Sequence, residues 1–235
     1  MSGLDYASVN HVLANISEAD SKKIFSAISL NTFEFNKVLS EPGSTVDTVY
    51  FPVGAVLSIL NMMKDGRCVE SSTIGREGAF GLVNALGAPV SLNRVVVQVR
   101  GDCLTIPAET FRQAAQESPS LLNTIGRHIQ AVLAQTEQGV ACNALHEVEP
   151  RLCRWLLMTQ DRMVGDVEIV PLTHEYLALM LGIHRTSVTV AARALQRRGL
   201  IDYARGKIHI LSREGLEQGA CECYATLRKD MQLLF

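Results

Sequence analysis

The sequence lacks long apolar runs and any recognisable leader segment. No stretch of its 235 residues approaches the ~18–20 consecutive apolar residues of a membrane helix, so we expect no membrane partner. Residues 1–10 lack the basic segment followed by an apolar one that marks a signal peptide, so none is expected. The cysteines are scattered, which predicts no disulfide framework and a reducing, cytoplasmic location. They stand at Cys68, Cys103, Cys142, Cys153, Cys221 and Cys223.

Histidine is absent between His11 and His128, and the common catalytic motifs are absent throughout. A metalloenzyme of the cupin type needs clustered histidine and carboxylate ligands, which this stretch does not supply. A nucleophile elbow, a phosphate-binding loop and a dinucleotide fingerprint are also missing. We therefore expect no enzyme. Cys221 and Cys223 offer two thiolates, but zinc would need two further ligands, so no metal site is assigned and their role stays open.

The charge of the chain is unevenly distributed. The formal net charge is −2, yet residues 183–213 hold seven Lys or Arg and one acidic residue, so this segment alone carries +6. The remainder must then carry −8. A local basic patch attracts the phosphate backbone whatever the average charge of the chain, so this segment is a candidate for binding nucleic acid.

The basic segment has the pattern of a helix-turn-helix. Thr173 can cap a first helix, and Gly182 supplies a turn where a residue without a Cβ takes a left-handed conformation. Residues 184–198 form a second helix with an alanine-rich side and a cationic side. After Gly199, period-2 alternation predicts a β-hairpin over 200–211 with a basic tip at 204–206, a wing beside the second helix.

The cationic side and the wing present residues suited to a major groove, where Arg reads guanine or phosphate and hydroxyls reach bases or phosphates. The predicted DNA-binding residues are Thr173, Arg185, Thr186, Ser187, Thr189, Val190, Arg193, Arg205 and Lys207. A solvated helix in a small helical subdomain would show part of this pattern. The wing and the segregated charge favour DNA.

Residues 32–107 read as short strands separated by turns, typical of a jelly roll or sandwich. The Asp65-Gly66 pair is the strongest single hairpin signal. Short helices are expected over 8–30, with a start at Ser17, and another over 108–117. The predicted fold is therefore α+β, with an N-terminal β-roll sensor domain at 1–117.

A long helix is predicted over 118–147, with Ser118-Pro119 at its start. Apolar residues, followed by small or polar ones, recur along this helix at alternating spacings of three and four residues, as in a heptad seam. The stripe could pack on the β-roll of its own chain, but we favour a parallel dimer, because a palindromic DNA site needs two recognition helices at fixed separation. The predicted dimerisation residues are Leu122, Ile125, Ile129, Val132 and Thr136.

The pair Glu149-Pro150 is expected to break or kink that helix. We therefore place the boundary between sensor and DNA-binding domains at 147–150, with a winged helix-turn-helix domain over 148–235. A short strand is expected over 166–170, and the tail from 214 reads as a helix.

The order of β-roll, long helix and winged helix-turn-helix resembles the Crp/Fnr superfamily of bacterial transcription regulators, with a cyclic-nucleotide-binding-like roll. The resemblance covers nearly the whole chain and is most specific over 150–223. It is carried by Leu172-Thr173, by Leu181-Gly182-Ile183-His184-Arg185-Thr186-Ser187-Val188, by Gly199-Leu200-Ile201 and by Gly206-Lys207-Ile208. It implies a homodimer on two-fold symmetric double-stranded DNA, RNA polymerase as a partner, and a signal received by the roll.

The chain departs from the family's cyclic-AMP signature. That type pairs a Glu with the ribose hydroxyl and an Arg with the phosphate, and here Gly81 and Ser91 stand at those positions. Arg94 lies three residues further along a strand and so faces the other side. Gly81, Leu82, Ser91 and Arg94 are the candidate pocket residues, and the effector is not expected to be cyclic AMP.

The chain also lacks the N-terminal cysteine cluster of the iron–sulfur type, because its first cysteine is Cys68. No cofactor is assigned, and nothing points to haem. Arg185 matches the family's first base-contacting Arg, whereas Thr186 and Val190 replace a Glu and an Arg that often read bases. A changed target sequence is expected. The alternative function is a small-molecule or cyclic-nucleotide module whose helical domain serves protein contacts.

Overall fold

A computed structural model describes residues 8–163, 169–170, 172–204 and 206–234. Two short helices open it, α1 (His11–Ala14) and α2 (Glu18–Phe25). The Ser17 side chain accepts a hydrogen bond from the backbone N–H of Asp20, which confirms the helix start predicted there. These helices lie beside the roll and contribute to its outer core through Val12, Leu13 and Ile24.

The β-roll is built from two antiparallel sheets, as the recurrent turns predicted. The strands are β1 (Ser29–Phe33), β2 (Val38–Ser40), β3 (Thr48–Pro52), β4 (Val56–Met62), β5 (Cys68–Ile74), β6 (Arg94–Val99) and β7 (Gly101–Pro107). One sheet has the order β1-β7-β3 and the other the order β2-β6-β4-β5. Gly66, at φ +85°, turns the chain between β4 and β5 at the predicted Asp65-Gly66 hairpin.

Alternation along β4 and β6 gives the four-stranded sheet two buried faces. Leu57 and Val97 point into the roll, while Leu60 and Val96 point to the opposite face. Successive side chains in a strand point to opposite sides, so a sheet buried on both faces reads as a nearly continuous apolar run. That is the pattern of these strands.

Helix α3 (Leu82–Leu86), absent from the sequence-based prediction, interrupts the roll between β5 and β6. It begins at Gly81, which has φ +96°. A Cβ at that glycine would lie 2.7 Å from the Thr48 carbonyl oxygen, so backbone packs where a side chain would stand.

Helix α4 (Ala108–Gln116) leads to the long helix α5 (Pro119–Leu145), which is capped by the Ser118 hydroxyl at the Leu121 N–H. The break after α5 falls at His146 and Glu147, not at the predicted Glu149-Pro150. Pro150 instead lies in the first turn of α6 (Val148–Arg162), where the missing N–H removes no helical hydrogen bond.

The C-terminal domain follows the predicted winged helix-turn-helix order. Residues 169–170 of the expected strand pair with the hairpin, and 166–168 lie outside the described residues. The elements are β8 (Ile169–Val170), α7 (His174–Leu181), α8 (Arg185–Arg197), β9 (Ile201–Ala204), β10 (Lys207–Ile210), α9 (Arg213–Gly219) and α10 (Cys223–Leu234). The three strands have the order β8-β10-β9.

This C-terminal domain packs on the outer face of the four-stranded sheet. Leu60 and Val96 of the roll join Trp155 and Leu177 in one apolar cluster. The Trp155 indole N–H donates to Glu70 Oε1 at 2.8 Å across the same contact. The two domains therefore share a core with a polar link inside it.

Within the parts of the chain that the structure describes, no helix combines the length and the apolar character needed to cross a bilayer.

Candidate nucleic-acid interface

The turn between α7 and α8 has the geometry that its residues predicted. The Thr173 hydroxyl accepts a hydrogen bond from the Tyr176 N–H at 3.1 Å and caps α7. Gly182 ends α7 at φ +64° and ψ 38°, the left-handed conformation that favours glycine. Gly182 therefore supplies the turn between α7 and α8.

Helix α8 presents two distinct sides. Val188, Ala192 and Leu195 are fully buried, so small and branched residues fix the helix against its own domain. The opposite side faces solvent, and even its apolar member Val190 is 68% exposed. The exposed members are Arg185, Thr186, Val190, Arg193 and Arg197, while Ser187 and Thr189 are half-buried at the edge.

Two of these side chains are already held by neighbours. Arg185 Nε lies 2.8 Å from Glu175 Oε1, and both side chains are largely exposed. An exposed ion pair of this kind is weak, so Arg185 can exchange it for a base or phosphate at little cost. The Thr189 hydroxyl donates to the Arg185 carbonyl oxygen at 3.0 Å and lies 3.1 Å from His174 Nδ1, which orients it inside the domain.

The wing stands beside the start of α7. β9 and β10 pair antiparallel, with Lys207 opposite Ala204 and exposed. A Cβ placed on Gly206 would lie 3.5 Å from Thr173 Cγ2, so the wing tip meets the N-terminus of α7. Arg205 lies outside the described residues.

Two of the seven basic residues in the segment serve the domain itself. Arg198 Nη1 donates to Glu149 Oε1 at 2.6 Å, and Arg213 pairs with Asp161 at 2.7 Å and with Glu217 at 3.0 Å. Charge counting along the sequence could not separate such anchors from free cations. Among the described residues of α8 and the wing, the exposed cations other than the paired Arg198 are Arg185, Arg193, Arg197 and Lys207. We call the surface formed by α8 and the wing the basic face.

The long helix α5 carries an exposed apolar stripe next to the roll. Its members are Leu122 at 43% exposure, Ile129 at 40%, Leu133 at 55% and Val140 at 67%, spaced by seven, four and seven residues. Ile125, expected in the seam, is instead 1% exposed and packs in the core of its own chain. Ile125 therefore does not belong to the exposed stripe, which corrects the predicted seam at this position.

Val132 and Thr136, also expected in the seam, are half-buried. Positions 125 and 132 turn toward the roll, 133 lies at the edge of the helix face that meets the roll, and 140 is exposed. The sequence showed apolar residues on both flanks, and only packing against the roll distinguishes the flanks.

A cavity of about 350 Å³ lies between the roll and α5. Three of the four candidate pocket residues, Gly81, Leu82 and Ser91, line it together with apolar residues such as Phe80 and Leu133. Arg94 does not line it, because its guanidinium pairs with Glu41 at 2.7 Å outside. The described lining contains no Lys or Arg, so the cavity lacks the cation that a phosphate would need.

His128 is the titratable group in this cavity. It is 4% exposed, and its Nε2 lies 3.0 Å from the Ala79 carbonyl oxygen. Burial lowers the pKa of its imidazole to about 4, so the ring is neutral at pH 7.

Sequence reasoning missed a second cluster, at the far end of α5. Although no metal ligands were assigned, Cys142, His146, Cys221 and Cys223 meet there. The available signal was the spacing of Cys142 and His146, which places both on one face of a helix.

Comparison with known proteins agrees with this geometry. A family model described as the Crp-like helix-turn-helix domain matches residues 150–218. A global nitrogen regulator of Nostoc sp. (strain PCC 7120) is 25% identical over 188 residues, covering 77% of this chain and 84% of that protein. The transcriptional regulator SdrP of Thermus thermophilus is 28% identical over 104 residues, covering 43% and 52%.

Solved structures share the fold. A Crp/Fnr-family transcriptional regulator from Eubacterium rectale superposes with a TM-score of 0.69 at 18% identity, covering 88% of this chain and 96% of that one. FixK2 from Bradyrhizobium japonicum gives a TM-score of 0.69 at 14% identity, covering 83% and 98%.

Proposed function

We propose that this chain is a Crp-family transcriptional regulator, and that it acts as a homodimer on a two-fold symmetric DNA site through its Crp-like helix-turn-helix domain. The observation that carries the proposal is the basic face, where exposed cations flank Thr186 and Val190 on α8. Arg185 contacts a guanine edge or phosphate near the start of the helix, and Arg193 contacts the phosphate backbone.

The exposed stripe on α5 supports the homodimer. Four large apolar side chains along one helix face are costly to leave in water, and a second α5 in parallel would cover them. A parallel pair would present two basic faces related by a two-fold axis. A palindromic site with half-sites about one helical turn apart, ~10 base pairs, fits that symmetry.

The cavity beside α5 supports a signal received by the roll. It lies against Ile129 and Leu133, so a molecule bound there would touch the stripe that forms the dimer. Its apolar lining favours an uncharged ligand over cyclic AMP. RNA polymerase is the expected protein partner, and the cytoplasm is the expected place of action.

The deciding experiment is selection from random DNA duplexes by the purified chain, followed by titration of the enriched duplexes at two salt concentrations. A palindrome with ~10-base-pair spacing and a steep salt dependence is expected. If nothing is enriched in the presence or absence of cell metabolites, the basic face is not a DNA reader. The chain would then be a ligand-binding module that contacts proteins.

A further inference from the structure

Four potential metal ligands meet where α5 ends and α10 begins. Cys142 and His146 come from the last turn and C-cap of α5, and Cys221 and Cys223 precede or open α10. One ligand atom from each residue lies within 4.8 Å of each of the others. The three cysteines are buried and form their own small cluster.

The spacing of these atoms fits one tetrahedral ion. Zinc–sulfur bonds of ~2.3 Å imply ligand–ligand edges of ~3.8 Å in a tetrahedron. Cys142 Sγ lies 3.5 Å from Cys221 Sγ, and Cys223 Sγ lies 3.5 Å from His146 Nδ1. An iron–sulfur cluster would need its ligands further apart, because several irons and sulfides must stand between them.

The surroundings orient the ligands as a metal site requires. His146 Nε2 lies 3.1 Å from a Glu222 carboxylate oxygen, which leaves Nδ1 free to ligate. A carboxylate behind a histidine fixes its tautomer and raises its basicity. Gln138 Nε2 donates to Cys223 Sγ at 3.0 Å, a contact suited to a thiolate.

We propose that Cys142, His146, Cys221 and Cys223 bind one zinc-class ion in a closed structural site. Three thiolates and a neutral imidazole around a divalent ion leave one net negative charge. The nearby buried Arg154 side chain has the sign to compensate for it. Four protein ligands leave no position open for catalysis, so the role of the ion is to hold structure.

The site joins the two domains. Cys142 and His146 belong to the end of the long helix, while Cys221 and Cys223 belong to the C-terminal part of the DNA-binding domain. The break between helices α5 and α6, at His146 and Glu147, lies beside it. A bound ion would therefore clamp the last turn of α5 to α10 and restrict rotation of the DNA-binding domain about this break.

The test is the metal content of the full-length chain purified under reducing conditions, by mass spectrometry of the released metal. We expect one zinc per chain that persists through dialysis. After chelation, titration with Co²⁺ should give the intense visible bands of tetrahedral thiolate coordination, saturating at one equivalent.

Cys221→Ser and Cys223→Ser should each lose the bound zinc, and Cys153→Ser is the matched control. Cys153 is also buried, and its Sγ would lie 3.3 Å from a Cβ placed on Gly219, two positions before Cys221. It is not among the four ligands, so its variant should keep one zinc. His146→Cys preserves four ligands and should retain the ion, whereas His146→Ala should lose it.

Two results would overturn the proposal. One is a folded wild-type chain that neither contains zinc nor binds Co²⁺ with thiolate bands under reducing conditions. The other is Co²⁺ binding that survives in both cysteine variants. Neither readout involves DNA, so the metal site and the DNA-binding proposal can fail separately.

Discussion

At the scale of single residues, Arg185 and Arg193 lie on the same face of α8 but at different positions along the helix axis. Arg185 opens α8, where the N-terminal residues of a recognition helix meet base edges, and Arg193 lies two turns later. Both side chains are exposed, so their replacement leaves the core of the domain intact.

Arg185→Ala should weaken binding to the selected palindrome by about 1–3 kcal/mol and relax base preference at one position of each half-site. Arg193→Ala should instead weaken binding to all sequences alike and reduce the salt slope by about one. Fluorescence anisotropy with selected and scrambled duplexes at several salt concentrations separates the two. Equal losses on both duplexes for Arg185→Ala would refute its base-reading role.

His128 predicts how stability depends on pH. Burial holds its pKa at about 4 in the folded chain, against 6.5 in the unfolded chain. The unfolded chain therefore takes up the proton first as pH falls. The stability that neutral His128 provides is present above about pH 6.5 and is lost as pH falls toward about 4.

Between pH about 7 and about 5, this one group should cost the wild type roughly 2 kcal/mol of unfolding free energy. His128→Gln can still donate to the Ala79 carbonyl oxygen but cannot take up the proton. Urea unfolding at both pH values should therefore show a smaller acid-induced loss for His128→Gln. The same loss in both proteins would mean that His128 is not the titrating group.

At the scale of elements, α5 serves two neighbours. One side carries Ile125 into the core of the roll, and the other exposes the stripe that includes Leu133 and Val140. A helix hydrophobic on both flanks is stable only when both are covered. The roll covers one flank, and we propose that the second subunit covers the other.

Leu133→Glu and Val140→Glu should each convert the dimer into folded monomers, because a buried carboxylate pair at the interface is costly. Sedimentation velocity gives the oligomeric state, and circular dichroism checks the fold. Leu211→Glu is the control, since Leu211 is 61% exposed just after β10, away from α5, and its variant should remain dimeric. A dimer that persists in both α5 variants would place the interface elsewhere.

At the scale of the whole molecule, the packed contact between the roll and the DNA-binding domain is the route by which the proposed signal would reach DNA. The Trp155 indole donates to Glu70, and Gln98 Nε2 donates to the Thr159 hydroxyl at 3.2 Å. Arg162 pairs with Glu77 at 2.6 Å, with both side chains largely buried. Repositioning the DNA-binding domain must break or move these polar links.

Trp155 is the single tryptophan of the sequence, so tryptophan fluorescence, excited selectively over the tyrosines, reports on this contact alone. Binding of the selected duplex, if it moves the domains, should shift the Trp155 emission toward longer wavelength as water reaches the ring. Glu70→Ala should produce a similar shift in the free protein, because it removes the hydrogen-bond acceptor. Unchanged emission in both experiments would show that the contact stays closed.

Local sequence patterns were enough to predict most of the order of elements and the charge of the basic face. Thr173, Gly182 and the alternation after Gly199 are local signals, and local signals suffice for caps, turns and hairpins. The separation of Val188 and Leu195 from Arg185 follows from helical periodicity alone. The β-roll was predictable from its turns, although β1, β2 and α3 lacked a strong pattern of their own.

Only packing between elements settles which apolar flank of α5 faces the roll, which cations are anchored by acidic residues of other elements, and which distant residues meet. Ile125 was indistinguishable from Leu133 until the roll covered it. In the sequence Arg198 cannot be told from Arg197, whereas in the fold Arg198 forms an ion pair with Glu149 from a different helix. Cys142 and Cys221 stand 79 positions apart, and no local pattern encodes such proximity. These features depend on contacts between elements, which form only when the whole chain packs.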